Sequence, residues 1–248
     1  MAGVVTETPD LQVPDGQMAT FSYRPEGDGK FPAVIVIQEI FGVEPHIQDV
    51  ARRFANEGYF ATAPDLFHRS GPGIVVPYTE MQAGFGYRQQ VTDDGVVDDL
   101  NAVVQYLRSQ PNVDADHIGI VGFCFGGRVS FLAAARVAGI GAAAVYYGGG
   151  IVPRTDAAAG TPNLLDEAEN IPCPVIGFFG DQDQGIPLDQ VSQIEQALKS
   201  HGKDVQVHVY PGAGHGFFCD GRGSYHEASA KDAWPKTLDF FGQHLKGA

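Results

Sequence analysis

The chain has 248 residues, 44% of them hydrophobic and 19% charged, which is enough for one large domain with a substantial core. Its formal net charge of −14 argues against nucleic acid or an anionic membrane as a partner, because both are bound through clustered Lys and Arg. No stretch approaches the roughly 18 apolar residues of a spanning helix, and three cysteines are too few for a secreted disulfide scaffold, so we expect a cytoplasmic protein.

The first third of the chain predicts a hairpin, a buried strand and a helix. Alternating residues over 18–25 indicate a half-exposed strand, and the Pro-Asp-Gly turn at 14–16 leads into it. The continuous apolar run at 31–40 is typical of a strand buried on both faces. Apolar residues at helical spacing then predict a helix that ends at Gly58.

The remainder continues this alternation after an irregular, Gly- and Pro-rich stretch from 68 to about 86. A helix is predicted from Asp94, and Pro235 marks a kink or break in the last helix. Further strands are predicted at 59–67, 117–122, 142–148, 173–180 and 205–210, and further helices after Cys124, at 188–202 and at 226–245.

Strands alternating with helices predict an α/β fold whose mostly parallel sheet carries helices on both faces. We find no repeat and no linker, so residues 1–248 are expected to form a single domain. The polar insertion at 149–172 could line the mouth of a site, but it is too short for a separate cap domain.

Chemically capable side chains follow several of these strands. In open α/β sheets ligands bind at the carboxyl ends of the strands. Glu39, Cys124, Asp181, Asp183 and His215 all follow predicted strands in this way. The sequence therefore places an acid, a thiol, two further carboxylates and a histidine at one edge of the sheet.

The residues Gly122-Phe123-Cys124-Phe125-Gly126 fit a Gly-x-nucleophile-x-Gly elbow between a strand and a helix. A thiol at a helix N-terminus is favoured as thiolate by the helix dipole. The backbone N–H of Phe125 would then point at a developing oxyanion. The alternative is an inert cysteine buried in a tight turn.

His215 is the candidate base, because it lies in a glycine-rich loop after the last strand and follows the acid in the chain order of α/β hydrolases. Asp183 is favoured over Asp181 as its partner, since it lies further past the strand end, where the loop turns back. Asp181 is interpreted as exposed or loop-bracing, and Asp189 as a first-turn helix residue.

Together these segments resemble the dienelactone hydrolase family of α/β hydrolases. The resemblance rests on IQEIFGVEPHIQDVARRFANEGYFATAPDLF, GFCFGG, GDQDQGIP and YPGAGHGFF, which occur in the family's order. It implies a Cys124–His215–Asp183 triad that cleaves esters or lactones through a thioester, with no metal or organic cofactor. It also implies that Glu39 holds the resting thiol neutral and that the N–H of Ile40 is the second oxyanion donor.

The resemblance weakens at the substrate. The family binds a substrate carboxylate with two arginines, and Cys219 occupies the position of one of them. Arg88 and Arg222 are the nearby substitutes. Alternatively, Tyr78, Phe85, Tyr87 and Phe125 form an aromatic, less charged pocket. We therefore expect weaker selection for anionic lactones and better use of neutral aryl esters.

Other functions remain open at this point. The same triad could serve a broad carboxylesterase, a hydrolase of organophosphate-like esters, or a transferase that passes the acyl group to an acceptor other than water. A thiol sensor or binding module on a hydrolase frame is the non-enzymatic alternative. We expect a small-molecule partner and a monomer or small homo-oligomer.

Overall fold

The computed structural model describes residues 3–153 and 162–246, and a nine-stranded sheet lies at its centre. The strands are β1 (Val4–Glu7), β2 (Asp10–Val13), β3 (Gly16–Pro25), β4 (Phe31–Ile37), β5 (Phe60–Pro64), β6 (Val113–Phe123), β7 (Ile140–Tyr146), β8 (Val175–Gly180) and β9 (Val205–Tyr210). The helices are α1 (Pro45–Asn56), α2 (Met81–Gln89), α3 (Asp93–Ser109), α4 (Phe125–Arg136), α5 (Leu188–Ser200) and α6 (Glu227–Leu245), with short 3-10 helices at His68–Ser70 and Leu164–Asn170.

The sheet is mostly parallel, as predicted. Its order is β1-β3-β5-β4-β6-β7-β8-β9, with β2 paired to β3. The strands from β5 to β9 in this order run parallel, whereas β3 pairs antiparallel with β1, β2 and β5. The expected hairpin is therefore present, and it extends an otherwise parallel α/β sheet.

Helices cover both faces of the sheet. On one face α1 and α6 pack together, with the Phe54 and Trp234 ring centroids 4.7 Å apart. On the other face α4 packs between α3 and the 3-10 helix at Leu164–Asn170, which also contacts α5. Strand β4 is covered from both sides, since Ala33 to Ile37 are fully buried. Burial of each large apolar side chain contributes roughly 1.5–3 kcal/mol, so these central strands are the firmest part of the molecule.

One expectation is wrong in detail, and of the kink or break expected at Pro235 the break does not occur. The stretch expected to be irregular up to about residue 86 contains the start of α2, which begins at Met81. Gly84 is not a breaker there but a point of close contact, since a Cβ on it would lie 2.6 Å from the Ile40 carbonyl oxygen. The last helix also does not break, because α6 runs through Pro235 to Leu245.

The insertion at 149–172 falls partly outside the described residues, since 154–161 are not described. Its described part contains the 3-10 helix at Leu164–Asn170. Across the described ranges, no helix is both long enough and apolar enough to cross a bilayer. The assignment of all of 1–248 to one domain stays a prediction.

Candidate active site

Cys124 lies at the turn between β6 and α4 in a backbone conformation that side chains rarely adopt. Its φ and ψ are 56° and −115°. Its N–H donates to the Tyr146 carbonyl at 3.0 Å, and its own carbonyl accepts from the Gly127 N–H at 3.0 Å. Such a strained position persists only where the surrounding structure holds it, which is what an elbow requires.

The two glycines of the elbow are required by space. A Cβ on Gly122 would lie 2.0 Å from the Gly126 carbonyl oxygen. A Cβ on Gly126 would lie 2.5 Å from the Ile37 carbonyl oxygen. The glycines therefore let the first turn of α4 press against the ends of β4 and β6, and the Cys124 side chain is half-buried at the resulting corner.

His215 and Asp183 meet beside this corner. The His215 Nδ1 lies 2.7 Å from Asp183 Oδ2, and Asp183 is nearly fully buried. The other carboxylate oxygen of Asp183 accepts from the N–H groups of Gly185 at 2.8 Å and Ile186 at 3.2 Å. Asp183 is thus fixed in place, and the opposite ring nitrogen of His215 is left for Cys124.

The charges around His215 favour its protonated form once Cys124 has given up its proton. Burial lowers its pKa, but the neighbouring Cys124 and Asp183 outweigh this effect and raise the pKa to about 10. A histidine held between a thiol and a carboxylate can take the thiol proton and keep it, which suits a general base in nucleophilic catalysis.

Asp181 has the bracing role expected for it. Its Oδ1 accepts from the Gly212 N–H at 2.7 Å, and its N–H donates to the Tyr210 carbonyl at 3.1 Å. These bonds tie the loop after β8 to the loop that carries His215. Asp189 lies in the first turn of α5, as expected.

The N–H groups of Ile40 and Phe125 donate to no acceptor among the described residues. Both residues line the same cavity as Cys124, a space of about 440 Å³. Two unpaired backbone donors at a nucleophile elbow are the arrangement that stabilises an oxyanion.

The cavity contains some of the predicted substrate residues and not others. Phe85, Arg88, Phe125 and Arg222 line it. Further lining residues that the sequence did not single out are Met81, Gly149, Gln182, Gln184, Gly185 and Ile186. Gln182, Gln184, Gly185 and Ile186 could have been predicted to line the cavity, because they are neighbours of Asp183 in the sequence. Met81 could not, because the start of α2 was expected to be irregular.

Three predicted pocket residues lie elsewhere. Tyr87 packs on Phe67, with ring centroids 5.7 Å apart. Cys219 is fully buried, and its thiol donates to the Tyr78 hydroxyl at 3.3 Å. The prediction that Tyr78, Tyr87 and Cys219 contact substrate is thus corrected, because their side chains are engaged in packing outside the cavity at Cys124.

Glu39 is fully buried, and its carboxylate faces Arg222. Arg222 Nη1 lies 3.1 Å from one carboxylate oxygen and 3.3 Å from the other. The guanidinium reaches this position across Gly216, where a Cβ would lie 2.3 Å from Nη1. Arg222 therefore holds the Glu39 carboxylate in place at the edge of the cavity.

Arg88 differs from Arg222 because its guanidinium has no carboxylate partner among the described residues. It lies over the Phe125 ring, 5.2 Å from the centroid. Burial and the nearby Arg128 lower its pKa. Arg128 itself is paired with Asp93 through contacts of 2.6 and 2.8 Å. Arg88 is thus the cation that the cavity can offer to an anionic group.

Comparison with known proteins agrees with this geometry. The family model "Dienelactone hydrolase family" matches residues 18–245. The chain belongs to the dienelactone hydrolase family. As a member of this family with the α/β-hydrolase fold, it is a hydrolase that acts on ester bonds.

Individual relatives cover nearly the whole chain. Proteins named "Putative carboxymethylenebutenolidase" from Synechocystis sp. and Escherichia coli K12 are 40% and 37% identical, covering 93% and 98% of this chain and 93% and 92% of their own. The crystal structure of a "Putative Dienelactone Hydrolase" from Klebsiella pneumoniae is 36% identical, with a TM-score of 0.87 over 98% of this chain and 100% of its own. Within the described residues of this family member, no group of three or more His, Cys, Asp or Glu is placed to hold a metal ion.

Proposed function

We propose that this protein cleaves small-molecule esters and lactones, as a carboxymethylenebutenolidase does, through a thioester on Cys124. The observation that carries the proposal is the 2.7 Å contact between Asp183 and His215 beside the strained elbow of Cys124. All three residues line one cavity. The carboxylate orients the ring, so that its free nitrogen serves the sulfur.

In the first half-reaction the Cys124 proton passes to Nε2 of His215, and the sulfur attacks the carbonyl carbon. The N–H groups of Ile40 and Phe125 donate to the oxygen that becomes negative. When the C–O bond breaks, the imidazolium of His215 returns its proton to the leaving alcohol or enol oxygen. The product of this step is a thioester on Cys124.

In the second half-reaction His215 takes a proton from water, and the water oxygen attacks the thioester carbonyl. The same backbone donors stabilise the second tetrahedral intermediate. The C–S bond then breaks, the carboxylic acid leaves, and His215 returns the proton to sulfur. A cysteine suits activated esters with good leaving groups better than amides.

We assign Glu39 the role of keeping the resting thiol neutral, because a carboxylate near sulfur disfavours the thiolate. Its full burial and its pairing with Arg222 support a carboxylate held at this edge of the site. Displacement of the Glu39 carboxylate by substrate would then release the thiolate.

The substrate class follows from Arg88 and the apolar lining. A cavity with Met81, Phe85, Phe125 and Ile186 accepts a largely apolar acyl or aryl part. The unpaired guanidinium of Arg88 suits a carboxylate substituent. Cys219 leaves the site without an arginine at that position, which was the reason to expect weak anion selection, but Arg88 supplies an unpaired guanidinium, so we propose an anionic ester or lactone. The proposed location is the cytoplasm.

The test is hydrolysis of a panel of neutral esters, carboxylate-bearing lactones and aryl organophosphates by wild type, Cys124→Ala and Cys173→Ala. We expect ester turnover in wild type and Cys173→Ala, a covalent acyl mass on Cys124, and at least about a 10⁴-fold loss in Cys124→Ala. Turnover in Cys124→Ala would overturn the proposal. Cleavage of organophosphates alone would support the alternative of an organophosphate-ester hydrolase. Transfer of the acyl group to an added acceptor would support the transferase alternative. No turnover of any substrate would support the thiol sensor.

A further inference from the structure

Tyr147 has a buried hydroxyl that the reaction described above does not use. The residue follows β7 and is fully buried, yet its hydroxyl has no hydrogen-bond partner among residues 3–153 and 162–246. Leaving a buried hydroxyl unpaired destabilises a folded protein, because water would have satisfied it in the unfolded chain. The arrangement therefore needs a reason other than stability.

The backbone conformation of Tyr147 is also unfavourable for stability. Its φ is 37°, and among the described residues only Cys124 and Tyr147 are non-glycine residues at positive φ. A bulky residue in this region is strained. Strain of this kind is concentrated at functional sites, where it holds a side chain in a direction that an ordinary strand would not give it.

The strained backbone directs the ring of Tyr147 under the candidate active site. Its centroid lies 5.2 Å from that of His215 and 5.2 Å from that of Phe217. The neighbouring Tyr146 points elsewhere, and its hydroxyl contacts Thr237 Oγ1 at 2.6 Å. The two adjacent tyrosines thus differ: the Tyr146 hydroxyl is hydrogen-bonded to α6, whereas the Tyr147 hydroxyl has no partner among the described residues.

Ionisable groups of the site act on the Tyr147 hydroxyl. Burial raises its pKa well above the ordinary value, the Glu39 carboxylate raises it further, and Arg222 opposes them. The hydroxyl consequently stays protonated over the working pH range and can only act as a donor or a neutral acceptor. The acceptor that lacks a second donor is Glu39, since its carboxylate contacts only Arg222 among the described side chains.

We propose that Tyr147 is a positioning residue whose hydroxyl donates to the Glu39 carboxylate when that carboxylate leaves Arg222. The inference rests on the proposed function for the roles of Cys124 and Glu39. A fully buried carboxylate that loses its guanidinium needs another donor, or it returns to the guanidinium or to the thiol. The unpaired hydroxyl supplies that donor and so favours the state in which the Cys124 thiolate and Arg222 are free for substrate.

The test compares Tyr147→Phe with Tyr146→Phe, each in the wild-type and the Glu39→Gln backgrounds. Tyr147→Phe removes no hydrogen bond of the resting enzyme, so its melting temperature should equal or exceed that of wild type. Its kcat should fall about tenfold or more, since each tenfold corresponds to about 1.4 kcal/mol of lost donor energy. Tyr146→Phe should do the reverse, with a lower melting temperature and kcat within about threefold.

The Glu39→Gln background tests whether Tyr147 acts through the Glu39 carboxylate. There Tyr147→Phe should change kcat by less than about twofold, because the carboxylate it serves is gone. The proposal is overturned if Tyr147→Phe keeps kcat within about twofold of wild type. It is also overturned if the loss is equally large in both backgrounds, which would indicate a role that does not pass through Glu39.

A second measurement keeps the test valid if no ester is hydrolysed and the proposed function fails. Alkylation of Cys124 by iodoacetate brings a carboxylate that competes with Glu39 for Arg222, whereas iodoacetamide brings none. Tyr147→Phe should lower the iodoacetate-to-iodoacetamide rate ratio by about fivefold or more, and Glu39→Gln should abolish this difference. An unchanged ratio in Tyr147→Phe overturns the proposal independently of any hydrolase assay.

Discussion

The two sides of the cavity are formed by different secondary-structure elements. One side, the strand side, consists of Cys124, Asp183 and His215 at or just beyond the ends of β6, β8 and β9. The other, the helix side, consists of Phe85 and Arg88 on α2 together with Arg222 on the loop before α6. The strand side contains the groups proposed to make and break bonds, and the helix side contains the groups proposed to bind substrate.

The difference lies in what fixes each side. The ladder between β6 and β7 continues to the pair Phe123 and Tyr146, and that between β8 and β9 to Gly180 and Tyr210. Backbone hydrogen bonds therefore position the strand side almost to the reacting atoms. Met81 and Phe85 on α2 are about two-fifths exposed, so the helix side is held by fewer contacts. Changes on the strand side should thus abolish chemistry, whereas changes on the helix side should shift selectivity.

The largest expected effect comes from Asp183→Asn. The amide keeps the shape of the carboxylate but not its charge, so His215 loses the partner that fixes its tautomer. We expect kcat to fall on the order of 10⁴-fold, as for the loss of a triad acid. The matched control is Asp181→Asn, which disturbs the bracing contacts of Oδ1 with the Gly212 N–H and the Gln182 amide and should keep kcat within about tenfold.

The same variant has a consequence for stability against pH. The pKa of His215 is raised from 6.5 to about 10, so its contribution to folding is full below 6.5 and is lost as the pH rises through about 10. Asp183→Asn removes one of the groups that raise this pKa. Between these two pH values the free energy of unfolding should therefore fall more in wild type than in Asp183→Asn, as measured by urea denaturation. Equal falls would contradict the assigned coupling.

Gly84→Ala should have the next largest effect, because it links the two sides. The new Cβ would meet the Ile40 carbonyl oxygen at 2.6 Å, so α2 or Ile40, the proposed oxyanion donor, must shift. We expect kcat to fall about 10- to 100-fold, that is by about 1.4–2.7 kcal/mol. Gly86 in the same helix faces open space. Gly86→Ala should leave kcat unchanged and raise stability by up to about 1 kcal/mol.

These residues also show which parts of the molecule the sequence could predict. The sequence could place Cys124, Asp183 and His215 together because strand ends meet at one edge of a parallel sheet, and their catalytic roles stay a proposal. Asp181 was separated from Asp183 by its position in the loop. Each of these inferences depends on local backbone geometry, which short sequence patterns record.

The helix side was predicted less well, for a physical reason. Arg222 reaches Glu39 only because Gly216 leaves a gap, and Cys219 turns towards Tyr78 instead of the cavity. Both facts are set by packing between segments distant in sequence. The direction of Tyr147 depends likewise on a single strained φ that no pattern in the sequence signals.

A smaller effect is expected from the arginines, and it concerns selectivity. Arg88→Ala should lower kcat/KM for a carboxylate-bearing lactone by about tenfold or more relative to its neutral ester, because a desolvated guanidinium–carboxylate contact is lost. Arg222→Ala should impair both substrates, since it leaves Glu39 buried without its cation, and should impair the lactone further, since the freed guanidinium of the wild type would bind its carboxylate. Equal losses of kcat/KM for both substrates in Arg88→Ala would show that this guanidinium does not bind the substrate carboxylate.

Cys219→Ala should have the smallest effect. The thiol is fully buried, donates only a weak hydrogen bond to Tyr78, and has a pKa raised to about 11, chiefly by burial. It is therefore not nucleophilic near neutral pH, and its removal leaves a small gap costing about 1 kcal/mol of stability. Activity and anion selectivity should stay within about threefold of wild type, with Cys173→Ala, also buried, as the matched control. A larger change in selectivity than in stability would mean that the loop carrying Arg222 depends on the Cys219–Tyr78 contact, and that the helix side is more rigid than its exposure indicates.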